Sequence, residues 1–211
     1  MNRIGIVQEE ELEVIAKQSL VNCHAIGLHS VMFDNTPGAR VRCFIARPDH
    51  NMWTNNMVLD ARMSIAFHAH HCDITLDPVF GDVFNVRPYR VKGGGYYLRA
   101  HEYQSCITTG QGKFVRRGDR YDMWAVPITE KLNGPVPMQA REVHSVFVPF
   151  GQSAAWYVFE GGEDPQYMPL AWSNKDLRTF DFSPLYKPMS VEFLRSLLKE
   201  IDVNIVGKVK L

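Results

Sequence analysis

Between Phe67 and Leu76 the chain reads Phe-His-Ala-His-His-Cys-Asp-Ile-Thr-Leu, and three of its eight histidines fall within four positions there. A neutral imidazole nitrogen is a good ligand for Fe, Zn, Ni or Cu and a poorer one for Mg or Ca. In a strand, residues two apart point the same way. His68 and His70 are therefore expected to project side by side into one interior and to offer two nitrogens to one ion. An inward pair must have its nitrogens satisfied, and a metal ion does this for both rings at once. Cys72 shares their parity. It is expected to face the same cavity, either as a soft ligand or redox-active thiol or, the commoner role, as a small buried hydrophobe. His71 alternates to the other side.

The elements around this run should hold it rigidly. Met63–Phe67 and Ile74–Leu76 are strand-like, which puts the histidine pair inside sheet. Arg40 to Arg47 alternates basic and apolar residues, with Arg40 and Arg42 on one face and Val41 and Cys43 on the other. Further short strands, separated by Gly, Pro and Asn turns, continue to Phe159. Helices are expected only near the ends. One spans residues 8–20, with acidic residues at its N-terminal end, where the helix dipole favours them. The other starts after Ser190 as N-cap and runs Val191–Ile201, with Leu194, Leu197 and Leu198 on one face. Residues 161–188 read as irregular. This pattern predicts one mostly β domain, an antiparallel barrel or sandwich with peripheral helices. Its core covers about residues 27–160, its N-terminal helix 8–20, and its C-terminal arm and helix 161–211.

Other side chains could join the chemistry. His101 sits on an expected strand and is a candidate third ligand. One of Trp156 and Tyr157 should face inward, and an inward Tyr157 could donate a proton or hydrogen bond to substrate. Arg42, Arg62 and Arg99 could clamp a carboxylate bidentately. Tyr157 and Arg42 are the two catalytic candidates. His24, His29 and His50 have no partner spacing and read as surface or loop residues.

Composition excludes some functions. The chain has 211 residues, 45% of them hydrophobic, enough to bury a proper core. Basic and acidic residues balance at 23 each, so no positive surplus drives nucleic-acid binding. No apolar run approaches membrane-spanning length, and residues 1–8 lack the apolar stretch of a signal peptide. A cytoplasmic protein is expected. Cys23, Cys43, Cys72 and Cys106 show no CxxC spacing and read as free thiols.

The histidine run and its surroundings resemble the cupin superfamily. That family's first motif joins a His-x-His strand to a turn glycine, as His68-Ala69-His70 and Gly81 do here, with Asp82-Val83-Phe84-Asn85-Val86 leading into the next strand. Its second motif brings one more His on a late strand. Ala140-Arg141-Glu142-Val143-His144-Ser145-Val146-Phe147-Val148 is similar to it, followed by Gly151 and the strand Ala155–Phe159. The resemblance covers residues 39–160. Ile74 and Thr75 stand where the first motif carries a Glu, Asp73 comes one residue early, and Val148 stands where an asparagine is frequent.

The resemblance implies a double-stranded β-helix barrel. It also implies a divalent transition metal, Fe first with Zn, Ni or Mn as alternatives, held by His68, His70 and His144, with His101 in reserve. Without the Glu, the pattern is more similar to the three-His thiol dioxygenases. The implied function is a metal-binding enzyme acting on a small organic substrate, as a non-haem iron dioxygenase. The alternatives are a non-catalytic small-ligand-binding cupin and a metal-independent sugar isomerase or epimerase working by acid–base catalysis. The expected partner is a small-molecule ligand or substrate, with no nucleic acid and no membrane, and the resemblance suggests a homodimer.

Overall fold

The computed structural model describes residues 5–50, 66–104, 113–163, 167, 169–179 and 183–206. Within them the first strands are β1 (Ile6–Gln8), β2 (Leu20–Val21), β3 (Leu28–Asp34), β4 (Arg40–Ala46), β5 (Phe67–His68), β6 (Cys72–Phe80), β7 (Phe84–Val91) and β8 (Tyr96–Gln104). Then come β9 (Lys113–Arg116), β10 (Met123–Lys131), β11 (Val136–Met138), β12 (Ser145–Phe147), β13 (Ala154–Glu163), β14 (Leu170–Ser173), β15 (Lys187–Pro188) and β16 (Asn204–Val206). Helix α1 (Leu12–Gln18) follows β1, and α2 (Val191–Glu200) precedes β16.

The pairing is nested. β4 pairs with β13, β6 with β11 and β7 with β10, all antiparallel. Between them, an isolated antiparallel bridge from His68 to His144 joins β5 to the residues just before β12. The chain is thus one long hairpin wound on itself. Its turns alternate between a sheet holding β4, β6, β11 and β13 and a sheet holding β5, β7, β10 and β12. That topology is the double-stranded β-helix expected of a cupin-like fold. The second sheet goes further. It continues through β10, β8 and β14 back to β5, so the His68–His144 bridge brings it close to closing as a barrel of its own.

Alternation along each strand then sorts side chains between layers. Phe44, Leu76, Trp156 and Val158 form a core between the two sheets. Cys43, Ile45 and Tyr157 face away from it, under Leu12 of α1 and Leu194 and Leu198 of α2. Phe67, Leu98, Ala100, Met123 and Trp172 fill the curl of the second sheet. These three layers cover the apolar faces named here, as the hydrophobic effect demands, whereas Trp124, Val126 and Ile128 on the outer face of β10 stay exposed.

Local chemistry fixes the joints. Phe193 N donates to Ser190 Oγ at 3.2 Å, so Ser190 is the N-cap of α2. Gly81 has φ +74°, and a Cβ there would lie 2.3 Å from the Ser153 carbonyl oxygen. Only glycine lets the end of β6 turn against the start of β13.

Three expectations change. The His-x-His run is not one continuous strand. β5 ends at His68, the chain crosses between sheets over residues 69–71, and β6 begins at Cys72 in the other sheet. Cys72 falls in the core between the sheets, 1% exposed. Residues 161–188 are not wholly irregular, because β14 inserts between β8 and β5. A four-residue strand is too short to show a period, and its hydrogen bonds come from neighbours distant in sequence. The first helix is also shorter than residues 8–20: Ser19 leaves it, donating through Oγ to Ile15 O at 2.6 Å and accepting from Met32 N at 2.9 Å. That serine ties the helix end to β3.

Candidate metal centre

His68 and His144 exchange both backbone hydrogen bonds across their bridge, each 2.9 Å long. Residues so paired point their side chains to the same face. His70, two residues on from His68, keeps that face although the strand has ended. The three rings converge, with centroids 4.7, 5.0 and 5.1 Å apart. One nitrogen from each lies within 4.8 Å of the others. The group therefore could hold a metal ion. Among the described residues no carboxylate belongs to it.

The donor set fits a transition metal on two counts. Burial holds all three imidazoles neutral: His68 is pushed down to about 4, and His70 and His144 well below the ordinary 6.5. For His70 and His144 the neighbouring histidines add to that effect. Lone pairs are thus available near neutral pH. The second count is spacing. His70 Nε2 lies 2.9 Å from His144 Nε2. Two imidazole ligands at right angles, each about 2.1 Å from one ion, stand about 3 Å apart.

A ligating histidine usually hydrogen-bonds through its other nitrogen. His144 Nδ1 is 3.1 Å from Asn85 Oδ1 on β7. Asn85 is 1% exposed. In the sequence it is one polar residue in the strand after Gly81, and its role was not visible there. Asp73, close to His70 in the sequence, accepts from Ala140 N at 2.6 Å.

His24 is the larger surprise. It lies in the turn between β2 and β3 with φ +69°. Its ring stacks on His68 at 5.7 Å and on Phe44 at 6.1 Å. Phe44 in turn stacks on Trp156 at 5.5 Å. His24 Nδ1 is 3.0 Å from the Tyr186 hydroxyl, and Tyr186 too has a left-handed backbone, φ +54°. Burial, with the nearby His68 and Arg42, pushes His24 down to about 3. Strained backbone gathers at functional sites more than elsewhere. Of the surface-or-loop reading, His24 and His50 do lie in connections between strands, but the surface placement is corrected for His24, which faces His68, and for His29 and His50, which are 4% and 0% exposed. No periodic signal marks a turn residue that reaches inward through a left-handed backbone.

The remaining candidates separate cleanly. Arg42 stands opposite Val158 in the β4–β13 register and so faces the space between the sheets. Its Nε lies 2.8 Å from Glu160 Oε1. Its charge contributes to holding His24 and His70 down. Tyr157 is not beside the histidines: it is 1% exposed in the layer under the helices, and Trp156 is the inward member of that pair. Strand alternation allows only one of two consecutive residues to face in. His101 is not beside the cluster either, since it packs against Phe114 and the 176–177 backbone. Arg99 donates to Asn174 O at 3.0 Å, away from the histidines. Arg62 and Cys106 lie outside the described residues.

No protein-family description and no curated protein sequence matches the chain. Solved structures similar to it include the polyketide cyclase RemF of Streptomyces resistomycificus, 10% identical over 87% of this chain and 88% of that one, TM-score 0.35. Another is a Ralstonia eutropha protein of unknown function with a cupin-like fold, 12% identical over 88% and 83%, TM-score 0.28. L-ribose isomerase of Cellulomonas parahominis, solved with L-ribose, is 8% identical over 98% and 100%, TM-score 0.31. At such scores none of the three bears on what this chain does. No helix among the described residues is long and apolar enough to cross a membrane.

Proposed function

We propose that this chain is a metal-dependent enzyme acting on a small organic substrate, and more narrowly a non-haem iron dioxygenase. The observation that carries the reading is the convergence of His68, His70 and His144, neutral and, among the described residues, without a carboxylate in the group. Three protein ligands leave coordination positions open. When bound there, a transition metal supplies Lewis acidity and, if it is iron, one-electron chemistry with O₂. The protein does the rest. His68 is held in plane by its stack with His24. Glu160 lies beside Arg42 as its ion-pair partner, 2.8 Å from Nε, and the guanidinium of Arg42 is assigned to a substrate carboxylate. Phe44 and Trp156 wall the space with apolar surface, which excludes water from the reacting groups.

An acid–base isomerase is the weaker reading. It needs a histidine–carboxylate pair facing substrate, and the pair found among the described residues, His101 and Asp176 at 3.4 Å, is away from the cluster. The deciding experiment is metal content by mass spectrometry on anaerobically purified protein, with His68→Ala and His144→Ala alongside. Near-stoichiometric iron, lost in both variants, with oxygen uptake on addition of a small thiol or organic acid, is the expected result. Zinc or nickel at full occupancy without oxygen uptake removes the dioxygenase, and no metal under any loading condition removes the enzyme as framed.

A further inference from the structure

Buried polar residues in an apolar layer call for a reason, because a hydrophobic side chain of the same size packs there at lower cost. Asn85 is such a residue. It pairs with Val146 across β7 and β12, so the two point to the same face, and Val146 packs against the core between the sheets. Its Oδ1 meets His144 Nδ1 at 3.1 Å. Its Nδ2 is buried and has no hydrogen-bond partner among the described residues. The side chain is therefore placed for its acceptor and leaves its donor unused.

The consequence lies in the tautomer of His144. A neutral imidazole carries its proton on one nitrogen only. With Asn85 Oδ1 facing it, Nδ1 must hold the proton, and Nε2 keeps a lone pair aimed at His70 Nε2, 2.9 Å away. Turned over, the amide would donate to Nδ1 and force the proton onto Nε2, which would close that nitrogen to an ion. We propose that Asn85 is a positioning residue that sets the His144 tautomer and so opens Nε2 to the metal. The inference rests on the three-histidine group being a metal site. It assigns to a residue outside the ligand set the task of keeping His144 ready before any ion arrives, with His70 Nε2 donating to it across the 2.9 Å contact until then.

The test uses the full chain, metal-free and then titrated with Zn²⁺ against a competing chelator. Long-range proton–nitrogen spectra of histidine-labelled protein, with His144→Gln to identify the signal, read the tautomer directly. The wild type should carry its proton on Nδ1. Asn85→Leu should lose that preference and bind Zn²⁺ about 10–100-fold more weakly, with the melting temperature of the metal-free form as control. Asn85→Asp keeps the acceptor and should bind at least as tightly as the wild type, and it preserves the test if the leucine variant fails to fold. Equal affinity in the leucine variant, an aspartate variant as weak as the leucine one, or a wild-type proton on Nε2 would each overturn the proposal. A wild type that takes up no Zn²⁺ would instead sink the metal-centre reading, and the tautomer would still decide the role of Asn85.

Discussion

Two histidine groups flank the same short strand. Ala171 of β14 stands opposite His68 on one side and His101 on the other. At His101 both nitrogens are already engaged. Nδ1 lies 3.1 Å from Arg99 O, and Nε2 accepts from Leu177 N at 3.3 Å, with Asp176 3.4 Å away. Close by, the Asp122 carboxylate accepts from Ala100 N, from the Tyr97 hydroxyl and from Arg116. Everything there is spent on holding β8 to its neighbours. At His68, His70 and His144 the nitrogens face one another. Burial depresses the pKa of His101 and of the three clustered histidines alike. Burial therefore does not separate a site from a structural pin. What separates them is whether the ring nitrogens are spent on backbone groups, as at His101, or meet one another at one point.

That contrast breaks most directly by exchanging the roles. His144→Ala should abolish stoichiometric metal binding, whereas His101→Ala should leave metal content unchanged, both read by mass spectrometry. Metal loss in His101→Ala would erase the distinction. The stability effects should run the other way. His101→Ala removes a 0% exposed side chain and frees the Leu177 amide, which should cost about 2–4 kcal/mol in a denaturant melt. His144→Ala, measured metal-free, should cost less, since it also relieves a crowd of imidazoles.

Acid sharpens the comparison further. His68 has a folded pKa of about 4 against an ordinary 6.5, so below pH 6.5 the unfolded chain binds more protons than the folded one. The stability that the neutral ring contributes is intact above about pH 6.5 and is lost as pH falls through 4, up to about 3 kcal/mol in all. Metal-free His68→Ala should therefore melt with a flatter pH profile over that window than the wild type, and an equally steep profile would show that the ring is not buried neutral. The smallest effect expected is that of Tyr186→Phe. It removes the contact with His24 Nδ1 and should cost about 1 kcal/mol, with metal stoichiometry unchanged.

Much of this was legible in the sequence, for identifiable reasons. The i, i+2 spacing of His68 and His70 shows their shared face. The cupin-like context put His144 beside them, and the bridge from His68 to His144 does so in the structure. The end helices and the Ser190 cap followed from periodicity and capping chemistry. His24 and Asn85 were not legible. One enters through a left-handed turn, and the other is recognised only by the atom across the sheet from it. Tyr157 was misplaced because strand parity cannot be phased until one residue of the strand is known to face in.

The nested pairing also governs the order in which the centre can come into being. His70 and His144 are 74 residues apart in the chain, and they meet only when the middle turn of the wound hairpin has closed. Contacts of such long sequence separation form slowly and late. On the metal-centre reading, capture of the ion is then a maturation step on a chain already folded, not a template around which it folds, and a newly made copy should pass through a structured, metal-free interval.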